Sequence, residues 1–296
     1  MRAPEANDEG ALLRWRRRFE GAQARLLAHP RMAVLVAANR RFEAAGGGLL
    51  AAGLAFRLLF AVLPGLMLAA GLAGWLVEDP VVRGELVAAV LRAVPPLAEA
   101  VGETLRGIVE YRGTVSVIGL LGLAWGASAL YDALDEAIGR LIPGTRRRNM
   151  IERRLLGLAI VLALLGAAVS ALVVGTLGVL TEGFGGDGAG AAGLGSLLGL
   201  AVTGALTCAA VLAVYRYVPT TRPSLRASLV PAIVAGLGIA LLTAVYATLA
   251  PRLIGALSAF GAFAALFGAI IWLGYVCQLL LIGAAWVGLR RDEELG

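Results

Sequence analysis

The chain has 296 residues, of which 59% are hydrophobic before its 40 glycines are counted, and only 16% are charged. Soluble domains run to about 45–50% apolar with glycine included and about 25% charged. With a mean hydropathy of +0.83, a water-soluble enzyme is excluded, because a globule of this size has nowhere to hide so much apolar surface.

All 26 basic residues are Arg, against 20 acids, for a net charge of +6. In a membrane protein such an excess belongs to cytoplasmic loops, so its placement is read before its sign. Residues 1–43 are an Arg-rich arm in which Leu12, Leu13, Trp15, Phe19, Leu26 and Leu27 are interleaved. This pattern predicts an amphipathic helix on the anionic inner leaflet, and no nucleic-acid partner is expected. The first long apolar run begins near Ala44, behind the charged arm and too late for a cleavable signal peptide.

About 20 helical residues cross the ~30 Å hydrocarbon core. Six stretches qualify: 58–77, 114–134, 155–181, 196–215, 229–250 and 260–289. The predicted fold is an all-α polytopic bundle of six transmembrane helices over 44–289, with a short tail at 290–296. The first apolar run reaches back to Ala44. As one helix it would be about 51 Å long, so tilt, a break at Pro64 or partial re-entry is required.

Residues 80–112 differ from the spans. Val82, Leu86, Val90, Val94, Leu97, Val101, Leu105 and Ile108 recur at helical spacing with charges between them, and Pro95-Pro96 divides the segment. An external amphipathic pair is predicted, flat on the outer interface or capping the bundle, with a lid over an outward cavity as the alternative. Glu182–Gly195 is a glycine-rich connection.

Arginine placement orients the chain. Nine Arg precede the first span, six lie between spans two and three, three between four and five, and two in the tail. That makes twenty, against five on the other side, with Arg57 inside a span. Both termini are therefore expected in the cytoplasm.

Few residues within the spans can carry chemistry. Arg57 either snorkels from the cytoplasmic interface or faces a polar cavity and holds an anionic group. Asp132, Asp135 and Glu136 share one helix face, with Arg140 one turn beyond Glu136. Structural ion pairing and a proton- or cation-handling site both remain open there. Gln278 calls for an internal hydrogen-bond partner, which a substrate could supply. Ser128, Tyr131, Trp272 and Tyr275 are read as packing groups. Small residues at four-residue spacing (Ala167, Ala171, Gly175; Gly195, Gly199; Gly261, Ala265, Ala269) mark close-packing seams. Cys208 and Cys277 lie in apolar runs and are read as core residues. The one His, His29, leaves no ligand set for a zinc phosphodiesterase and no His pair for acid–base cleavage. No enzyme activity, metal or cofactor is expected.

Four segments carry a resemblance. They are AGLAFRLLFAVLPGLML at Ala52–Leu68, GLLGLAWGASALYDALDEAIGRLI at Gly119–Ile142, YRYVPTTRPSLRASLVP at Tyr215–Pro231 and GAFAALFGAIIWLGYVCQLLLIGAAW at Gly261–Trp286. In order and spacing they resemble the YihY/BrkB family of bacterial inner-membrane proteins. Arg57 stands where an aromatic is common and Ala61 where a Ser often sits. Asp135-Glu136 fall near a usual Asn, and Ala285 replaces a frequent acid. The resemblance implies a multi-pass inner-membrane protein and carries an old ribonuclease label widely regarded as a misassignment. Links to virulence or serum resistance, and a suspected transport role, come with it. The functional expectation is a transporter of a lipid or amphiphilic anion, whose partners are the bilayer and that substrate. The alternative is a non-transporting envelope scaffold.

Overall fold

The structure, a computed structural model, describes residues 30–76, 112–143, 189–219, 221–256 and 262–295. Among these the chain is entirely helical: α1 (Pro30–Ala44), α2 (Gly47–Leu76), α3 (Arg112–Leu141), α4 (Ala189–Tyr217), α5 (Leu225–Ala256) and α6 (Ala262–Leu295). The predicted span 155–181 lies outside the described residues. So do the arm before Pro30 and the amphipathic pair apart from Arg112.

Among the described residues two segments, Leu225–Leu249 and Leu266–Glu294, are long and apolar enough to cross a membrane. A third is added if Met32–Ala44 and Gly47–Val62, bent by 75°, count as one. The bend answers the length problem of the first apolar run, and of the ways left open a break at Pro64 is not the one taken. Helix α2 passes through Pro64 without ending, and the chain turns instead at Ala45-Gly46. Gly46 adopts φ +71°, and its amide donates to the Glu43 carbonyl at 2.9 Å. A left-handed residue just past a helix end satisfies carbonyls that would otherwise be orphaned, and glycine adopts it without steric cost. Gly47 then opens α2 with the Phe42 ring lying where a Cβ would stand.

Helices α2 and α3 form an antiparallel pair whose backbones nearly touch. A Cβ on Gly126 would lie 2.7 Å from Ala61 Cα, and one on Gly122 would lie 3.0 Å from Pro64 Cβ. Helices α4 and α5 repeat the device, with Gly236 against Cys208 Cα at 2.7 Å. Where greasy side chains gain nothing by leaving lipid, close backbone approach supplies the van der Waals contact that holds helices together. The seams predicted from small-residue spacing are other than these. Of the expected seam residues Ala269 is fully buried, while Ala167, Ala171, Gly175 and Gly261 lie outside the described residues. Both cysteines are free, Cys277 buried and Cys208 half-buried.

Helix α6 joins the two pairs. It touches α5 through Trp272, whose Nε1 donates to Thr243 Oγ1 at 3.3 Å. It touches α4 through Tyr215, whose hydroxyl donates to the Leu280 carbonyl at 2.7 Å. Gly288 abuts the carbonyl of Leu141 on α3. Buried Leu281, Ala284, Ala285 and Val287 of α6 share one core with Ala38 and Phe42 of α1 and with Ile138 and Leu141 of α3. Helix α1 thus docks on the bundle. Helix α4 begins at Ala189, so the last part of the glycine-rich connection, 189–195, is helical.

Candidate functional site

Polar groups concentrate at two levels of the bundle. The lower level is a rim of arginines that cap backbone carbonyls at the helix ends. Arg41 Nε donates to the Leu141 carbonyl at 2.9 Å and its Nη1 to Asp292 Oδ2 at 2.6 Å, so one side chain ties α1, α3 and α6 together. Arg291 donates to the Pro143 carbonyl at 2.7 Å, and Arg216 to the Pro223 carbonyl at 3.0 Å. Arg290 donates to the Arg226 carbonyl at 3.3 Å and lies 5.6 Å from the centre of the Trp286 ring. Leu141 and Pro143 stand at the end of α3, where unsatisfied carbonyls and a partial negative charge make a guanidinium a natural partner, whereas Pro223 and Arg226 stand at the start of α5. Across this rim, Ser224 caps α5 by accepting from the Ala227 amide at 3.0 Å and donates to Glu294 Oε1 at 2.8 Å.

The upper level holds the residues singled out in the sequence. Arg57 is exposed, and its Nη1 donates to the Ala129 carbonyl of α3 at 3.1 Å. One turn on, Asp132 is exposed and Asp135 half-buried, and each makes a polar or electrostatic contact. Glu136 accepts from Arg140 Nη2 at 2.7 Å, with both side chains more than half exposed. This face therefore carries an exposed ion pair at i, i+4. Gln278 is half-buried on α6 and has no hydrogen-bond partner among the described residues.

Helical register fixes the relative depth of these groups. Gly288 meets Leu141, and counting back ten residues on each of these two helices reaches Gln278 and Tyr131. Gln278 therefore lies at about the depth of Tyr131 and Asp132. Arg57, tied to Ala129, is about one turn away. From Arg57 back to the start of α2 is ten residues, about 15 Å, and from Ala129 down to Leu141 is twelve, about 18 Å. The three lie within about one turn of the same depth.

Of the packing groups, Tyr131 is buried and Trp272 is hydrogen-bonded to Thr243, whereas Tyr275 is exposed. Among the described residues no three of His, Cys, Asp and Glu group as a metal site would require. The rim is the feature that sequence reasoning missed as a structure. Arg41, Arg290 and Arg291 were counted for their side of the membrane, and nothing in their spacing names the carbonyls that they cap.

A family model described as virulence factor BrkB matches residues 38–294. No curated protein and no solved structure matches the chain. The match spans all six described helices apart from the first turns of α1, and it takes in both polar levels. By this match, and by four ordered motifs that now fall on α2, α3, the α4–α5 turn and α6, the chain belongs to the BrkB virulence factor family.

Proposed function

We propose that this integral membrane protein is a six-span protein of the bacterial inner membrane, with both termini cytoplasmic, and that a polar strip on α2 and α3 carries a lipid or amphiphilic anion. In support of the orientation, the ends that twenty of the arginines assign to the cytoplasm are those that meet at the rim.

One observation carries the transport reading. Between the rim and the depth of Arg57, α2 exposes Leu49 and Phe56 and α5 exposes Leu229 and Ile233. Side chains of that kind are stable against acyl chains, so hydrocarbon on those faces extends down nearly to the rim. Asp132 and Glu136 are exposed on α3 over the same range of depth. A charge against lipid costs about 2.5–3.5 kcal/mol at the bilayer centre on insertion scales and less towards the interface, so this face is the one better suited to water or a polar ligand. Arg57 supplies the cation for an anionic headgroup. Its bond to a carbonyl occupies one of five donors, and the apolar tails lie along Phe56, Phe60 and Trp125. On this reading the protein performs no covalent chemistry.

The test is reconstitution in proteoliposomes with fluorescent phosphatidylglycerol and an organic anion as probes. Movement of a probe across the bilayer, reduced tenfold or more by Arg57→Gln in a folded protein, is the expected result. No movement of any probe by folded protein refutes the reading. A scaffold without transport is the second reading, and the backbone contacts at Gly126 and Gly236 favour it because they leave no gap at those crossings.

A further inference from the structure

We propose that the junction between the α4–α5 turn and the end of α6 binds a phosphate group, held by Ser228, Trp286 and Arg290. Three buried side-chain polar atoms lack a hydrogen-bond partner among the described residues: Thr221 Oγ1, Ser228 Oγ and Trp286 Nε1. All three belong to this junction. Ser228 is 0% exposed and is the one fully buried polar residue among the described ones. Buried hydroxyls and indole N–H groups in folded proteins nearly always have partners, so a cluster of three without any marks a place where something else accepts.

Register sets Ser228 level with Arg290 and about one helical turn from Trp286. Ser228, Ala232 and Ala235 follow at helical spacing on one buried stripe of α5. Ala235 Cβ lies 3.0 Å from where a Cβ of Gly283 would stand, so this stripe faces α6. On α6, Trp286 and Arg290 continue the Gly283 face at three and seven residues. The bond from Arg290 to the Arg226 carbonyl sets that turn of α6 beside the first turn of α5, two residues before Ser228.

The chemistry of these groups selects an anion. Trp286 Nε1 and the Arg290 guanidinium can only donate. Helix α5, 32 residues long, directs the positive end of its dipole here. Arg216 at the end of α4, Arg222 in the connection and Arg226 at the start of α5 add positive charge on this side. Of the nearby acids, Glu294 is engaged by Ser224 and Asp292 by Arg41, and Glu293 is exposed. A bridging water could satisfy two or three of these orphaned groups, but it would leave the positive charge unbalanced. A phosphate accepts from all of them. Arg290, lying across Trp286 and held to Arg226 by a long 3.3 Å bond, is the group that lifts to admit it. The same chemistry is offered by an anionic lipid headgroup and by free phosphate. The site does not depend on transport.

Full-length protein in detergent is titrated calorimetrically with inorganic phosphate and, separately, with short-chain phosphatidylglycerol, using short-chain diacylglycerol as the uncharged control. One equivalent of phosphatidylglycerol or of phosphate binds, about tenfold more weakly to Ser228→Ala and Trp286→Phe, each of which removes one hydrogen bond. Arg290→Gln weakens binding further. Ser228→Ala melts no lower than wild type without ligand but loses the ligand-induced rise in melting temperature, which a merely structural serine would not do. Saturation by phosphate alone identifies the free ion as the ligand, and saturation by phosphatidylglycerol alone identifies the headgroup. Binding of neither, or equal binding by wild type and the Ser228→Ala variant, overturns the proposal. Should Trp286→Phe or Arg290→Gln fail to fold, the serine variant decides alone.

Discussion

Replacing Gly126 by Ala separates the α2–α3 pair, and replacing Gly139 by Ala on the same helix does not. A Cβ at Gly126 would lie 2.7 Å from Ala61 Cα and 2.8 Å from the Phe60 carbonyl oxygen, whereas one at Gly139 meets nothing within 4 Å. Carbon atoms pack at about 3.5–4.0 Å, so the two helices must part by roughly 0.8 Å at this crossing. Both obstructing atoms are backbone, and no rotamer change relieves them. Overpacking of this kind costs about 1–3 kcal/mol. The gain in helix propensity from Gly to Ala, about 0.5–1 kcal/mol, is common to both variants and cancels in the comparison. We therefore expect Gly126→Ala to be about 2 kcal/mol less stable than Gly139→Ala, measured by reversible unfolding in bicelles. The Arg57–Ala129 bond, 3.1 Å and one turn away, does not survive the shift, so the variant also loses whatever Arg57 contributes. Equal stability of the two variants would refute the contact and with it the pairing of α2 with α3.

Other substitutions test single links. Arg41→Gln removes the tie among α1, α3 and α6; its guanidinium is mostly buried while Asp292 is 54% exposed, so most of the loss, about 1–2 kcal/mol, comes from the carbonyl bond. Asp292→Asn should then cost under about 1 kcal/mol in the same unfolding assay. Gly46→Ala forces a side chain into φ +71° with open space around it; a loss of about 1–2 kcal/mol is purely conformational, and Gly46→Asn should recover part of it. Glu136→Gln breaks an exposed pair at i, i+4 and should change stability by no more than about 0.5 kcal/mol.

Where the structure describes them, the long apolar helices and their order are legible in the sequence because hydropathy over twenty residues is a sum of many small, concordant contributions. The matching family model, over residues 38–294, agrees with the order of four motifs, each uninformative alone. Position within the elements was harder to read. Pro64 carries the strongest local signal for a break, yet the chain bends at Gly46. Proline disrupts a helix by removing one amide bond, and neighbouring helices in a bundle can compensate. A left-handed glycine changes the direction of the chain outright. The arginine rim illustrates a different limit. Charge counting assigns Arg41 and Arg291 to one group of loops, but their carbonyl partners, Leu141 and Pro143, are about a hundred or more residues away in sequence, at helix ends that only tertiary packing brings near.

The strip on α3 gives an order of accessibility opposite to that of depth alone. Leu229 is three residues above Arg226, hence about 4.5 Å from the rim, and Asp132 is nine residues above Leu141, about 13–14 Å. If the bundle were surrounded evenly by lipid, a thiol at 229 would meet aqueous reagent more readily than one at 132. If the exposed face of α3 stands in water while α5 stands in hydrocarbon, the order reverses. Single-cysteine variants Asp132→Cys and Leu229→Cys, in a background carrying Cys208→Ser and Cys277→Ala, would be labelled in inverted membrane vesicles with a charged maleimide. The thiolate is the reacting species and is strongly disfavoured in hydrocarbon. Labelling at 132 should therefore exceed that at 229 by tenfold or more, and addition of an anionic amphiphile should protect 132 alone. Faster labelling at 229 would show that Arg57 and Asp132 are an interfacial anchor at the end of a sealed bundle, and the scaffold reading would then replace transport.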